Sequence, residues 1–218
     1  MSFYNIVDAF LQDVRDLNFD NPMSGKKKSV YEKSLSKAQQ GFTRPLVKIA
    51  SDIALENSVS ESLQDDAIEI LEKILESSFT NAAFSAGYEL VRINLILKKH
   101  EKAKLIAERL IENGFYPVYS VIAGYYHSEN HGFYDLQRAY KFYKIAIKNG
   151  HFPSEVAYAK LKISHGGWLE SIYGFFLLIF VAFKFLLVIV KGAVREEYVP
   201  SLHPMDYSPN FVTEKFDR

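Results

Sequence analysis

Asp135-Leu136-Gln137-Arg138-Ala139-Tyr140-Lys141-Phe142-Tyr143-Lys144-Ile145-Ala146-Ile147-Lys148-Asn149-Gly150 is the segment that decides the fold. Ala139, Phe142 and Ala146 follow at three- and four-residue spacing, which puts them on one face of a helix. Gly150 closes it at the C′ position, where a left-handed backbone is cheapest for glycine. Pro153 then suits the first turn of a following helix, because its missing N–H would be unpaired there anyway.

The same marks return along the chain. Ser78, Gly114 and Gly150 stand 36 residues apart. Eleven positions before each mark stands alanine (Ala67, Ala103, Ala139), and eight before stands a large apolar residue (Ile70, Ile106, Phe142). Nine positions after each mark a small residue comes back, at Gly87, Ala123 and Ala159. An earlier copy starts near Gly41, where Gly41-Phe42-Thr43-Arg44-Pro45 parallels Gly114-Phe115-Tyr116-Pro117 and Gly150-His151-Phe152-Pro153. Residues 41–165 thus read as about three and a half units of two antiparallel helices, an α-solenoid. The small side chains let paired helices approach, and the larger ones fill the groove between neighbouring units. No alternating β pattern is long enough to compete, so the fold class is all-α.

The acidic, basic-Ala, aromatic-Tyr, Ala and Gly positions of residues 135–150 resemble the Sel1-like repeat, a longer relative of the tetratricopeptide repeat. The 36-residue spacing agrees with it better than with the 34 residues of the tetratricopeptide unit. Lys102-Ala103 and Asp66-Ala67 hold the basic-Ala place in the two earlier units. The resemblance implies an adaptor that presents a helical surface to a protein partner.

Ahead of the repeats, residues 1–20 carry Phe3, Ile6, Val7, Phe10, Leu11, Val14 and Leu17 at helical spacing, which predicts an amphipathic helix. It would cap the open end of the solenoid or dimerise. Residues 21–40 follow as a basic linker with Lys26, Lys27, Lys28, Lys33 and Lys37, either solvated or facing anionic lipid.

Past the repeats, residues 171–190 are apolar except for Lys184. About 20 residues of helix cross a hydrocarbon core. A single transmembrane helix is therefore expected over 168–191, followed by a polar tail over 192–218. So uniform a run has no polar face for lying in the interface plane. Trp168 and Tyr173 supply rings suited to the headgroup level. Lys184 lies close enough to the C-terminal end of the run for its ammonium to snorkel to the headgroups, the alternatives being a role in a pore, a helix pair or a buried ion contact. The first residues lack a basic region and an apolar core of the secretory kind, so the N-terminal domain is expected on the cytosolic side. Lysine and arginine counts on either side of the run lean slightly the other way.

Composition narrows function further. Lys plus Arg number 26 and Asp plus Glu 26, giving no global field for nucleic acid, and there is no cysteine for a disulfide, thiolate site or nucleophile. The aromatic residues fall on repeat positions and read as packing, so no nucleic-acid partner is expected. No glycine-rich phosphate loop or nucleophile elbow is present. His127 and His131 have a ligand-like spacing but read as a solvated loop, and Asp65-Asp66 reads as the acidic start of a helix. No catalytic residue, metal or cofactor is expected, and the chain does not read as an enzyme. The leading expectation is a membrane-tethered adaptor that binds protein through its helical repeats; self-association stays open. The alternative is a small membrane protein of inter-bacterial conflict or phage defence, an effector or an immunity protein, motivated by Lys184 within the span.

Overall fold

Glycine at positive φ stops the helices at the expected places. Gly114 and Gly150 each have φ of 80° and Gly41 has φ of 88°. The Gly114 N–H donates to the Ile111 carbonyl at 2.9 Å and the Phe115 N–H to the Leu110 carbonyl at 2.8 Å; Gly150 and His151 do the same to Ile147 at 2.9 Å and Ala146 at 3.0 Å. These paired bonds satisfy carbonyls that a helix end leaves without partners. A Cβ on Gly114 or Gly150 would meet nothing within 4 Å, so the backbone conformation alone demands glycine.

The computed structural model describes residues 3–17, 28–77, 81–129 and 134–195, and all their side chains except those of 28–31, 185 and 188–195. Among the described residues the regular structure is ten helices and no strand: α1 Phe3–Asp16, α2 Lys28–Gln39, α3 Thr43–Ile53, α4 Glu61–Ser77, α5 Asn81–Ile96, α6 His100–Glu112, α7 Val118–His127, α8 Leu136–Lys148, α9 Phe152–His165 and α10 Trp168–Arg195. The protein is all-α. Pro117 is the N-cap of α7 and Pro153 stands in the first turn of α9. At α8 the Asp135 carboxylate accepts from the Arg138 N–H at 3.0 Å, a side-chain cap that fixes where the helix starts.

The chain divides into two compact units within α6, one running to Ala107 and the other beginning at Glu108. In the first unit α1 lies on α4 and α2, while α3 packs against α2, α4 and α5, and α4 packs against α5. Val7, Phe10, Leu11 and Val14 of α1 are buried, so its apolar stripe is covered within the unit. In the second unit α8 packs between α7 and α9, and α9 packs on α10. Its core includes Ala123, Ala139, Tyr143, Tyr158 and Leu161.

The expected boundaries change in two places. Residues 28–39, read as basic linker, form α2, whose Leu35 and Ala38 are buried. Among the described side chains of α2 these are the apolar anchors, set into a core that the neighbouring helices complete, while Lys33 and Lys37 are exposed. The division between the two compact units falls inside residues 41–165. The C-terminal helix continues to Arg195, four residues into the stretch read as polar tail; 18–27 and 196–218 lie outside the described residues. Asp65 and Asp66 also sit one turn inside α4, which begins at Glu61. Burial there, with Glu69, Asp13 and Asp65 nearby, pushes the Asp66 carboxyl above its ordinary range.

Ala67, Ala103 and Ala139 are all buried, as are Ile70, Gly87, Ala123 and Ala159, while Ile106 and Phe142 are half-buried. The Phe142 ring stacks between Tyr119 and Tyr126, at centroid distances of 6.0 and 5.8 Å. Ser78, the first mark of the register, lies outside the described residues. Because Ala139 is fully enclosed between α7, α8 and α9, Ala139→Leu should overpack that contact and cost about 1–3 kcal/mol. A lowered thermal midpoint of the full chain checks it; an unchanged midpoint would contradict the assigned contact.

Candidate functional site

Gly166 and Gly167 turn the chain sharply between α9 and α10, so the apolar helix runs back antiparallel along its predecessor. Ile172 in α10 stands 36 residues after Leu136, where α8 starts. Gly174 makes the closest approach. A Cβ there would stand 2.9 Å from the Ala159 carbonyl oxygen and 3.0 Å from side-chain carbons of Ile163 and Lys162, so only glycine admits the α9 backbone at this distance. Val181, two turns on, is 2% exposed on the same side.

The two charged residues of α10 whose side chains are described, Glu170 and Lys184, pair with α9 along this docked stripe. Near the turn, Glu170 accepts from Lys162 Nζ at 3.0 Å. The same ammonium lies 5.1 Å from the centre of the Tyr140 ring, 5.6 Å from Tyr158 and 5.9 Å from Tyr173. Three aromatic faces and a carboxylate thus surround one lysine, joining α8, α9 and α10. Burial opposes its charge, but the Glu170 hydrogen bond and the tyrosines outweigh it, holding the ammonium pKa above the ordinary lysine value. At the other end Lys184 Nζ meets Glu155 Oε1 at 2.5 Å and lies 5.7 Å from the Phe152 ring centre. Of the alternatives to snorkelling, an ion contact across a helix pair is the one this geometry matches, because the first turn of α9 puts a carboxylate within range of Lys184.

Among the described side chains the opposite side of α10 is apolar. Leu169, Ile172, Phe175, Phe176, Ile179, Phe180, Phe183, Leu186 and Leu187 are exposed, with Phe176 64% and Phe180 62% accessible. Trp168 is 74% exposed, and Tyr173 offers its outer edge at the same end. Monomeric soluble proteins rarely show a contiguous apolar patch of this kind without a use for it. Among the described residues no helix is long and apolar enough to cross a membrane; the last part of the run 171–190 has its side chains outside the described ones.

Other polar clusters are internally satisfied. In the first unit Ser51 Oγ donates to Glu89 Oε2 at 2.5 Å, and Arg92 donates to Glu89 Oε2 at 2.8 Å and to Ser51 Oγ at 2.7 Å, clipping α3 to α5. In the second, His127 meets His165 at a ring distance of 5.8 Å, and the Tyr134 hydroxyl lies 3.1 Å from His165 Nδ1. Burial and the neighbouring His165 hold the His127 imidazole below its ordinary range. His131 lies outside the described residues, and no group of three metal-ligating side chains is found among those described.

His151 takes the place that Phe115 holds one repeat earlier. It is buried, with Nδ1 2.7 Å from Ser154 Oγ, while Nε2 has no hydrogen-bond partner among the described residues. Loss of hydration therefore lowers its pKa to about 4. No protein family, curated protein or solved structure matches this chain.

Two expectations follow for this unit. Gly174→Val should push α10 off the Ala159 carbonyl and lower the thermal midpoint by an amount corresponding to about 1–3 kcal/mol. Gly167→Ala, where a Cβ meets nothing within 4 Å, should leave the midpoint unchanged; equal effects would argue against the close approach. For His151, the unfolded imidazole takes its proton near 6.5 and the folded one near 4. The unfolded chain binds more protons between these values, so stability is full above 6.5 and falls as pH drops toward 4, by roughly 3 kcal/mol in all. His151→Gln should remove this part of the acid loss; parallel midpoint-against-pH curves for variant and parent would contradict it.

Proposed function

We propose that this chain is a membrane-anchored protein–protein interaction module. α10 holds it at the membrane, and the helical repeats, stacked as a Sel1-like solenoid, present a surface to a protein partner on the cytosolic side. The observation that carries the anchor is the outer arc of α10, a row of exposed phenylalanine, leucine and isoleucine with no charge in it. Its continuation through the apolar residues to Val190 and the basic Lys191 and Arg195 supports lipid as the environment. The 36-residue register and the glycine-stopped helix pairs support the repeat reading. In the first unit the buried Ser51 and Glu89, with Arg92, clip α3 to α5, a structural use of polar groups that fits a partner-binding role.

Phe176→Glu combined with Phe183→Glu tests the anchor, since both side chains project away from α9. The doubly substituted chain should keep its helical circular dichroism yet leave the membrane fraction, whereas the parent should stay there through a high-salt wash. A parent chain recovered without detergent in the soluble fraction would overturn the anchor.

A further inference from the structure

The apolar run lacked a polar face of its own, and α9 provides one. Within the described residues Glu170 and Lys184, with the small Gly174 and the buried Val181, lie on the stripe of α10 that faces α9. The large apolar residues Leu169, Ile172, Phe176, Ile179, Phe180 and Phe183 lie on the other side. At 3.6 residues per turn the centres of these two sets fall on opposite sides of the helix, with Lys184 at the margin one turn from Phe180, so the docked helix is two-sided. The flank of α9 is polar: Lys160, Ser164 and His165 are exposed.

A docked α10 that crossed a bilayer would carry this flank with it. A lysine within a spanning helix costs up to about 2.5–3.5 kcal/mol at the centre on the lenient insertion scale and less toward the end, where Lys184 lies. Meeting the membrane from the side avoids that cost entirely: the outer arc enters the boundary between headgroups and acyl chains while α9 stays on the aqueous side. Trp168 and Tyr173 then sit at headgroup level at one end. The Lys184–Glu155 pair and the Lys162–Glu170 pair remain formed, and each is strengthened where water is thinned out.

Resting on the membrane-anchor reading, the geometry points to α10 as a monotopic helix that lies in the plane of one leaflet with α9 as its polar backing. The occupant of the exposed arc is lipid. A protein interface of this size would place hydrogen-bonding groups around an apolar centre. Among the described side chains between Ile172 and Leu187 the large exposed ones are hydrocarbon, apart from the Tyr173 hydroxyl and Lys184, which stands at the edge of the arc beside its Glu155 partner.

The natural absence of cysteine makes the test direct. Single cysteines are placed in the full chain at Ser2→Cys and at Ser201→Cys, and sealed vesicles are prepared from cells with the Ser2→Cys side outward. A membrane-impermeant maleimide should label Ser201→Cys without detergent, because an in-plane helix leaves both termini on one side. Labelling only after permeabilisation would overturn the in-plane placement while leaving the anchor intact. Failure of the chain to remain with the vesicles would sink the anchor itself. A second arm joins Glu155→Cys to Lys184→Cys with a short bis-maleimide; the linked chain should still bind vesicles of phosphatidylcholine and phosphatidylglycerol. Loss of binding on linkage would mean that α10 must leave α9 to meet lipid, and a Phe180→Cys chain that forms disulfide dimers would assign the arc to a second copy instead.

Discussion

The seating of α10 on α9 depends on a missing side chain. Gly174 lets the two helices meet at a backbone carbonyl, and the turn at Gly166 and Gly167 delivers α10 to that contact in antiparallel order. Once α10 is seated, the rest of its arrangement is fixed by the helical period. The same rotation that turns Gly174 and Val181 inward brings Glu170 to Lys162 and Lys184 to Glu155. It also turns every phenylalanine of the described outer arc away from the protein. Neither ion pair adds much at an exposed site, where such contacts contribute about 0–1 kcal/mol. Their effect is to remove both charges from the side that faces outward.

Much of the helical frame was legible in the sequence. The 36-residue spacing located the glycine stops because a positive φ is a strong local demand that few residues meet. The prolines located the starts, since their missing N–H costs nothing in a first turn. Small residues at Ala67, Ala103 and Ala139 pointed to enclosed positions because only small side chains let helices touch there. α2 was hidden by its charge. Leu35 and Ala38 are buried among its described side chains, and their burial depends on helices that the local sequence does not name.

The site was harder to read for a related reason. Each of its defining contacts joins residues on different helices: Lys184 finds Glu155 29 positions earlier, and the tyrosines around Lys162 come from α8, α9 and α10. A hydropathy pattern treats the run 171–190 as an isolated helix with solvent or lipid all round. Tertiary packing gives it a polar side. The signals that could have suggested this were Gly174 within an otherwise bulky run and the placement of Glu170 and Lys184 on one side of a helical wheel. His151 was equally hidden, since its burial follows from standing where Phe115 stands one repeat earlier.

A helical unit backed onto lipid through one helix face would keep the remaining helices in water, free to meet a protein partner at fixed distance from the bilayer. Trp168, the chain's single tryptophan, stands exposed beside that face and reports on it without any label. Its fluorescence in the purified full chain, with vesicles whose lipids are brominated either near the headgroup or deep in the acyl chain, tests the central claim most directly. The account predicts a blue shift on vesicle addition with stronger quenching by the shallow bromines. Emission that keeps its solvent-exposed maximum, or quenching dominated by the deep bromines, would contradict it.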